Sequence, residues 1–209
     1  MICNLGLRGR LPSPQKNNLL GAYMTTKWAD GKNRCAWANP NNPEYIKYHD
    51  TEWGRAVHDD ARLFEMLVLE SFQAGLSWEC ILAKRENFRC AFDGFDARRI
   101  AECTDSDVNR LMADAGIVRN RLKICATIKN ARVFLEIVRE FGSFDAYIWR
   151  ATGGAVIREV GRTHSEISDA ISRDLRRRGM RFVGTTIIYA YLQAIGVING
   201  HSADCWCTK

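Results

Sequence analysis

The chain has 209 residues, 46% hydrophobic and 26% charged, with a formal net charge of +6. That length suits one large domain or two small lobes and buries a core without staples. No apolar run reaches the roughly 18 residues that a bilayer-spanning helix needs, so no such helix is expected.

The charge is unevenly placed. Residues 1–33 hold Arg8, Arg10, Lys16, Lys27 and Lys32 against Asp30, a net +4, which leaves +2 for the rest. Global charge is therefore weak evidence for a nucleic-acid partner, and local clusters matter more. The sharpest are Arg173 to Arg181, "RDLRRRGMR", and Arg119 to Lys123, "RNRLK". A solvated helix face accounts for either equally well. The eight cysteines are scattered, several of them within helical patterns, and no secretory signal precedes them. That usage points to a reducing compartment, with thiols free or metal-bound.

In chain order, residues 1–33 show no sustained period. They are expected to form a poorly ordered extension: a tail, a processed targeting segment, or a misassigned start, with Met24 as the alternative. Residues 34–209 are expected to form the folded domain. "DARLFEMLVLESFQAGL" predicts a helix opened by a capping Asp, with Leu63, Phe64, Met66, Leu67 and Leu69 at helical spacing. "SDVNRLMADAGI" predicts a second helix, ended by Gly116. A third runs from about Asn120 to Phe141. "SFDAYIWRA" starts a short fourth, and "SEISDAISRDLRRRG" is a fifth between a serine and Gly179. "VGTTIIYAYLQAIGVI" is the sixth; its β-branched start suits a strand, but its length favours a buried helix. With no βαβ alternation and no glycine-rich nucleotide loop, the class is all-α.

Four groups of residues could carry chemistry. Positions 63, 66, 67 and 70 share one helical face, so Glu70 stands on a stripe with Leu63, Met66 and Leu67. A carboxylate there must pair, protonate or face a cleft. The alternative to a functional role is a structural ion pair with Arg62 or Arg85. The segment "AWANPNNPEYIKYHDTEWG" gathers Trp37, Tyr45, Tyr48 and Trp53, and Trp78 follows the Glu70 helix. Such aromatics build a stacking pocket for a flat or cationic ligand, or simply core packing. The terminal "INGHSADCWC" places His201 four residues before Cys205, and Cys35 and His49 are the only clustered Cys/His pair upstream. Together they make a closed Cys2His2 zinc set, or else two unliganded thiols and two surface histidines. Finally, "LMADAGIVRNRLKI" reads helix, glycine turn, helix. With Arg119, Arg121 and Lys123 behind its backbone N–H groups, it suits a DNA phosphate, although any helical hairpin looks similar.

Taken together, these segments resemble the 3-methyladenine DNA glycosylase I family, bacterial enzymes of the helix-hairpin-helix glycosylase superfamily. The carrying stretches are "RCAWANPNNPEYIKYHDTEWG", "LFEMLVLESFQAGLSW", "LAKRENF", "DAGIVRNRLKI", "RRRGMRFVGTTIIYAYLQAIGVING" and "HSADC", from about Arg34 to Cys207. The resemblance implies two helical lobes around a base pocket. It also implies one structural zinc per chain, held by Cys35, His49, His201 and Cys205 and joining the two ends of the domain. It places the pocket carboxylate at Glu70, the stacking ring at Trp78, a base-holding hydroxyl at Tyr48, and pocket walls at Trp37, Tyr45 and Trp53. Gln73, Gly75 and Leu76 match the loop that meets DNA where the base leaves, and Gly116 and Arg119 lie in the hairpin.

The superfamily's catalytic Asp after the hairpin has no clear equivalent; Asp145 is acidic but wrongly placed. The stretch between Trp149 and Ser168 is shorter and more basic than the family's. The implied activity is base-excision repair: extrusion of 3-methyladenine from alkylated double-stranded DNA and hydrolysis of its glycosidic bond, leaving an abasic site. A monomer in the bacterial cytoplasm is expected. Two rivals remain. A non-catalytic zinc-stapled DNA-binding module would lack Glu70 or the aromatic pocket, and a zinc hydrolase would need an open metal position that four Cys/His ligands close.

Overall fold

A computed structural model of the chain describes residues 25–208. The expected class holds: ten α-helices carry the fold among the described residues, and the strands are two- and three-residue pairs. Residues 1–24 of the expected extension lie outside the described residues. Residues 25–33 form part of a hairpin, in which β1 (Thr25–Lys27) pairs antiparallel with β2 (Asn33–Cys35). The Arg34 guanidinium closes that hairpin on Asp30 and covers Trp28 at 4.4 Å.

Helix α1 (Pro43–Thr51) starts on the Asn42 side chain and ends beside the hairpin. Helix α2 (Asp60–Gln73) is the centre of the molecule. Every residue from Leu63 to Gln73 is buried, so it is a core helix covered all round, not an amphipathic surface helix. The expected capping aspartate sits one position off. Asp59 caps α2, whereas Asp60 turns outward and accepts the Phe144 and Asp145 N–H groups at 3.0 and 2.8 Å. It thereby fixes the start of α8 (Phe144–Trp149).

Short helices α3 (Trp78–Leu82), α4 (Arg85–Ala91) and α5 (Ala97–Ala101) follow α2. Their shortness hid them from a periodicity reading. Helix α6 (Asp105–Ala113) opens on a Thr104–Asp107 capping box and stops at Asp114, two residues before Gly116. Helix α7 (Arg121–Phe141) is capped by Asn120 and ends at Gly142, as expected. It packs on α2 through Phe134, whose ring lies 4.8 Å from Phe64 and 4.4 Å from Phe144. Helices α9 (Glu166–Arg177) and α10 (Thr185–Ala194) pack on each other. For α10, length prevails over the β-branched start. Its Tyr191 hydroxyl donates to Leu63 O at 3.2 Å, locking α10 to α2.

The chain ends return to the beginning. Strand β4 (Ile198–Asn199) pairs parallel with β3 (Ile157–Arg158), and the next residues reach the β2–α1 segment. Gly196 permits this turn: at φ +74°, a Cβ would lie 2.2 Å from the Arg55 carbonyl carbon. Among the described residues, no helix is long and apolar enough to cross a membrane.

Candidate active site and metal centre

Glu70 lies on the inner face of α2 and is 4% exposed. Neither arginine considered as its partner reaches it. Arg62 and Arg85 turn to the other side of α2 and bind Glu65 and Glu52. Arg85 Nε lies 2.8 Å from Glu65, its Nη1 2.8 Å from Glu52, and Arg62 Nη1 2.7 Å from Glu65. Burial works to raise the Glu65 carboxyl, but the Arg85 and Arg62 guanidinium groups outweigh it and hold it below its ordinary value. The structural ion pair of α2 is therefore at Glu65.

Glu70 is left with its Oε2 buried and, among the described residues, without a hydrogen-bond partner. Desolvation alone lifts its pKa to about 8, so the carboxyl is largely protonated at neutral pH. An orphaned buried carboxyl oxygen is costly unless a ligand completes it.

The aromatic residues come together around this group. Tyr48 and Trp78 face each other with ring centroids 5.1 Å apart. Trp78 Nε1 is a second buried polar atom without a partner among the described residues. Burial first, and then the Glu70 charge, raise the Tyr48 phenol, which therefore stays neutral and able to donate. Tyr45 is shifted in the same direction by burial, Glu79 and Glu70. Trp37 packs edge-on to Tyr45 at 5.5 Å and to Trp53 at 4.7 Å. Trp53 itself sits against the Cys/His cluster, 4.6 Å from the His201 ring. The aromatics thus fall in two groups, Tyr48 with Trp78, and Trp37 with Tyr45 and Trp53, the second reaching the Cys/His cluster. Glu79 Oε1 accepts from Asn39 and Asn42 at 2.7 and 3.1 Å.

Cys35, His49, His201 and Cys205 form one buried cluster, with ligand atoms all within 4.8 Å of one another. Cys35 Sγ lies 3.5 Å and Cys205 Sγ 3.4 Å from His201 Nδ1, and Cys205 Sγ lies 3.6 Å from His49 Nε2. A tetrahedral zinc with its usual Zn–S and Zn–N lengths has an S···N edge of about 3.6 Å, so the set fits. The outer nitrogens fit as well. His49 Nδ1 meets Asp50 at 2.8 Å and His201 Nε2 meets Trp53 O at 3.0 Å. Each imidazole can therefore donate outward and offer its inner nitrogen's lone pair to a metal. Arg34 Nε holds Asp50 at 2.9 Å, and Trp206 Nε1 donates to it at 3.1 Å. Two buried sulfurs this close cannot both ionise unaided. The hydrogen bond to Cys205, followed by burial, pushes the Cys35 thiol far up, and a dication removes that conflict.

The residues expected at the DNA surface are divided. Gly75, at φ +81°, is exposed at the tip of the loop after α2, and nothing approaches its Cβ direction. Gln73 is buried and braces that loop, donating to Leu76 O at 3.1 Å. In the α6–α7 turn, the Gly116 N–H is taken by Asp114 at 2.7 Å, and its carbonyl accepts from Lys84 at 3.0 Å. Gly116 therefore packs the turn on α4, where a Cβ would lie 3.1 Å from Asn87. Arg119 is exposed. Lys123 is not a surface cation. Its Nζ turns inward and donates to Phe72 O and Ala74 O at 2.8 and 2.6 Å, tying α7 to the loop after α2.

A family model of methyladenine glycosylases matches residues 37–208. The chain belongs to the methyladenine glycosylase family. This family member is 44% identical over 181 residues to DNA-3-methyladenine glycosylase 1 of Escherichia coli (strain K12), spanning 83% of this chain and 96% of that protein. It is 38% identical over 180 residues to DNA-3-methyladenine glycosylase of Haemophilus influenzae, spanning 83% and 97%. A crystal structure of 3-methyladenine DNA glycosylase I superposes with a TM-score of 0.80 at 43% identity, covering 83% of this chain and 98% of that one. A Staphylococcus aureus 3-methyladenine DNA glycosylase I, solved to describe 3-methyladenine recognition, gives 0.78 at 34% identity, covering 81% and 93%.

Sequence reasoning missed several residues of this glycosylase. Asp50, held by Arg34, orients the His49 imidazole, and the signal for it was a carboxylate directly after His49. Gly54 lets His201 approach: a Cβ there would lie 2.9 Å from its ring. Glu65 was missed because a period-based reading sends it to the solvent side of α2.

Proposed function

We infer that this glycosylase removes 3-methyladenine from alkylated double-stranded DNA by hydrolysing the N-glycosidic bond and leaves an abasic site. The observation that carries the reading is Glu70: a buried carboxyl with an orphaned oxygen beside an aromatic pair. 3-Methyladenine is cationic while attached to deoxyribose and leaves as a neutral base, so the bond is already weak. The protein has to extrude the base, recognise it, and stabilise an oxocarbenium-like sugar.

Each role falls to named groups. The base stacks on Trp78, and the rings of Tyr48, Tyr45 and Trp37 attract its positive charge through their π faces. Glu70 Oε2 accepts from the exocyclic amine; as the cation arrives, the carboxyl releases its proton to solvent water and supplies the opposing charge. Tyr48 donates to a base acceptor. An ionised Glu70 also favours the cationic sugar and can orient the attacking water. Gly75 and Leu76 enter the space the base vacates, and the exposed Arg119 of the α6–α7 hairpin meets a phosphate. Gly116 contributes by shaping that hairpin. A glycine-containing turn between two helices is what supports reading the chain as a member of the helix-hairpin-helix superfamily.

Cys35, His49, His201 and Cys205 would hold one zinc, a fully ligated ion that joins the two ends of the domain. Its tether to Tyr48 is direct, since His49 is the next residue. The enzyme acts as a monomer in the bacterial cytoplasm. Lys123, buried beside the loop, uses its ammonium on two carbonyls, so no lysine is assigned as a nucleophile.

Release of free 3-methyladenine from methylated duplex DNA, with 7-methylguanine retained, tests the activity. A borohydride-trapped protein–DNA adduct would contradict the monofunctional mechanism.

A further inference from the structure

We propose that Cys207 is a peroxide-reactive thiol that, once oxidised, captures the ligand residue Cys205 in a disulfide and so releases the metal from the Cys/His cluster. The inference rests on the zinc reading above.

Cys207 stands beside the four cluster residues as a donor that the zinc set does not use. Cys205 is hydrogen-bonded to Cys207 as well as to Cys35, so three thiols meet at one sulfur. Cys207 Sγ also lies 3.8 Å from His49 O and 4.0 Å from both His49 Nδ1 and Asp50 O. It therefore borders the outer side of the His49 ring, where Asp50 meets Nδ1, while Cys205 faces the inner Nε2 at 3.6 Å. Exposure separates the three thiols. Cys35 and Cys205 are each 1% exposed, whereas Cys207 is only half-buried. The thiol that solvent reaches is the one that the metal does not need. A reachable thiol beside a second, resolving thiol is the arrangement of redox-sensing cysteines.

The pair is held in place. Cys207 lies in a 3-10 turn, Trp206–Thr208, and the Thr208 N–H donates to Cys205 O at 3.0 Å. Trp206, between the two cysteines, donates to Asp50 at 3.1 Å and is covered by Lys32 Nζ at 3.6 Å. Such a turn keeps Cα atoms two residues apart within the span of about 4.4–6.8 Å that a disulfide bridges. The ring it closes is small and strained, so the bond is labile and readily reduced.

The step balances with hydrogen peroxide as the oxidant. The Cys207 sulfur attacks one peroxide oxygen. The S–O bond forms, the O–O bond breaks, and the departing hydroxide takes the thiol proton as water. The Cys205 thiolate then attacks the Cys207 sulfur; the S–S bond forms, the S–O bond breaks and hydroxide leaves. Two electrons pass from the sulfurs to the peroxide. Cys35, His49 and His201 remain, too few to close a structural zinc site. Because His49 follows Tyr48, opening the cluster also loosens the base pocket, and a dithiol reductant reverses the change.

The test treats the zinc-loaded full chain with stepwise hydrogen peroxide. A chromophoric chelator follows zinc, and peptide mapping after thiol blocking follows each cysteine. The wild type should release its zinc in step with formation of a Cys205–Cys207 disulfide, and a dithiol with added zinc should restore the starting form. Before treatment, Cys207→Ser should keep the zinc content and melting midpoint of the wild type. At the same peroxide dose it should release zinc about tenfold more slowly. Cys207→Ala takes its place if the serine lowers the midpoint. Equal release rates in wild type and variant overturn the proposal, as does a Cys35–Cys205 disulfide instead of the expected pair. So does Cys207 oxidised to the sulfinic acid with zinc retained. Protein that takes up no zinc fails the zinc reading, and the release step with it. Zinc-loaded protein that never forms the disulfide fails this proposal alone.

Discussion

Cys35 Sγ and His201 Nδ1 lie 3.5 Å apart although 166 positions separate them in the chain. No long element bridges that gap; the contact is made by two short segments that meet at the Cys/His cluster. Closing so long a loop through a metal removes much freedom from the unfolded chain. Native mass spectrometry should find one zinc per chain. Metal removal or Cys205→Ser should lower the melting midpoint by about 10 °C, several kcal/mol for a domain of this size. Base excision should fall only as the folded fraction falls. A metal-free protein with the original midpoint contradicts the clasp.

Asp50 is expected to act through His49. Its carboxylate orients the imidazole and is itself held by Arg34 and Trp206. Asp50→Asn should weaken zinc binding by about 10–100-fold, as loss of an outer-sphere partner commonly does. Competition with a chromophoric chelator measures this. An unchanged zinc affinity would mean that the hydrogen bond is incidental.

Much of this site was legible in the sequence, for identifiable reasons. Glu70 broke an apolar stripe, and a buried carboxyl is conspicuous whenever the helical period is clear. Cys35, His49, His201 and Cys205 were found because metal chemistry restricts ligand types, even across a spacing that local patterns cannot carry. What the sequence concealed depends on direction and pairing. Lys123 reads as part of a basic surface run, yet its side chain turns inward to two carbonyls. Trp53 reads as a pocket wall, yet it mainly backs His201. The helices α3, α4 and α5 are too short to show a period; Ser77 and Asp96 side chains cap α3 and α5, whereas α4 starts after Lys84 without a side-chain cap.

Glu65 supports α2 from the side opposite Glu70. Removing one member of a buried ion-pair network leaves charges uncompensated and costs about 3–5 kcal/mol. Glu65→Ala should therefore destabilise the fold to that extent in chemical denaturation. The folded fraction should still bind free 3-methyladenine with wild-type affinity. A loss confined to base binding would place Glu65 in the pocket instead.

Glu70 should make both stability and catalysis depend on pH. In the folded protein it titrates near 8, against an ordinary value of 4.5. Between these values the unfolded chain has released a proton that the folded chain keeps, so folding stability falls as pH rises from 4.5 to 8. Glu70→Gln abolishes this dependence. Its melting midpoint should match wild type near pH 4.5 and exceed it by a margin that grows to pH 8. A midpoint difference that does not change with pH would contradict the raised pKa.

Catalysis should move the other way. The ionised carboxylate is the form that suits a cationic base, so kcat/KM should climb with pH and level off above about 8. The Glu70→Gln profile should be low and flat over the same range. A wild-type profile that is already flat from pH 6 would show that the free enzyme carries Glu70 ionised.

The most direct measurement is chromatography of the bases released from dimethyl sulfate-treated duplex DNA by zinc-loaded wild type and by Glu70→Gln. The account predicts free 3-methyladenine from the wild type, retained 7-methylguanine, and strongly reduced release by the variant. Folded, zinc-loaded wild type that releases no 3-methyladenine, or a variant that releases it at the wild-type rate, would contradict it.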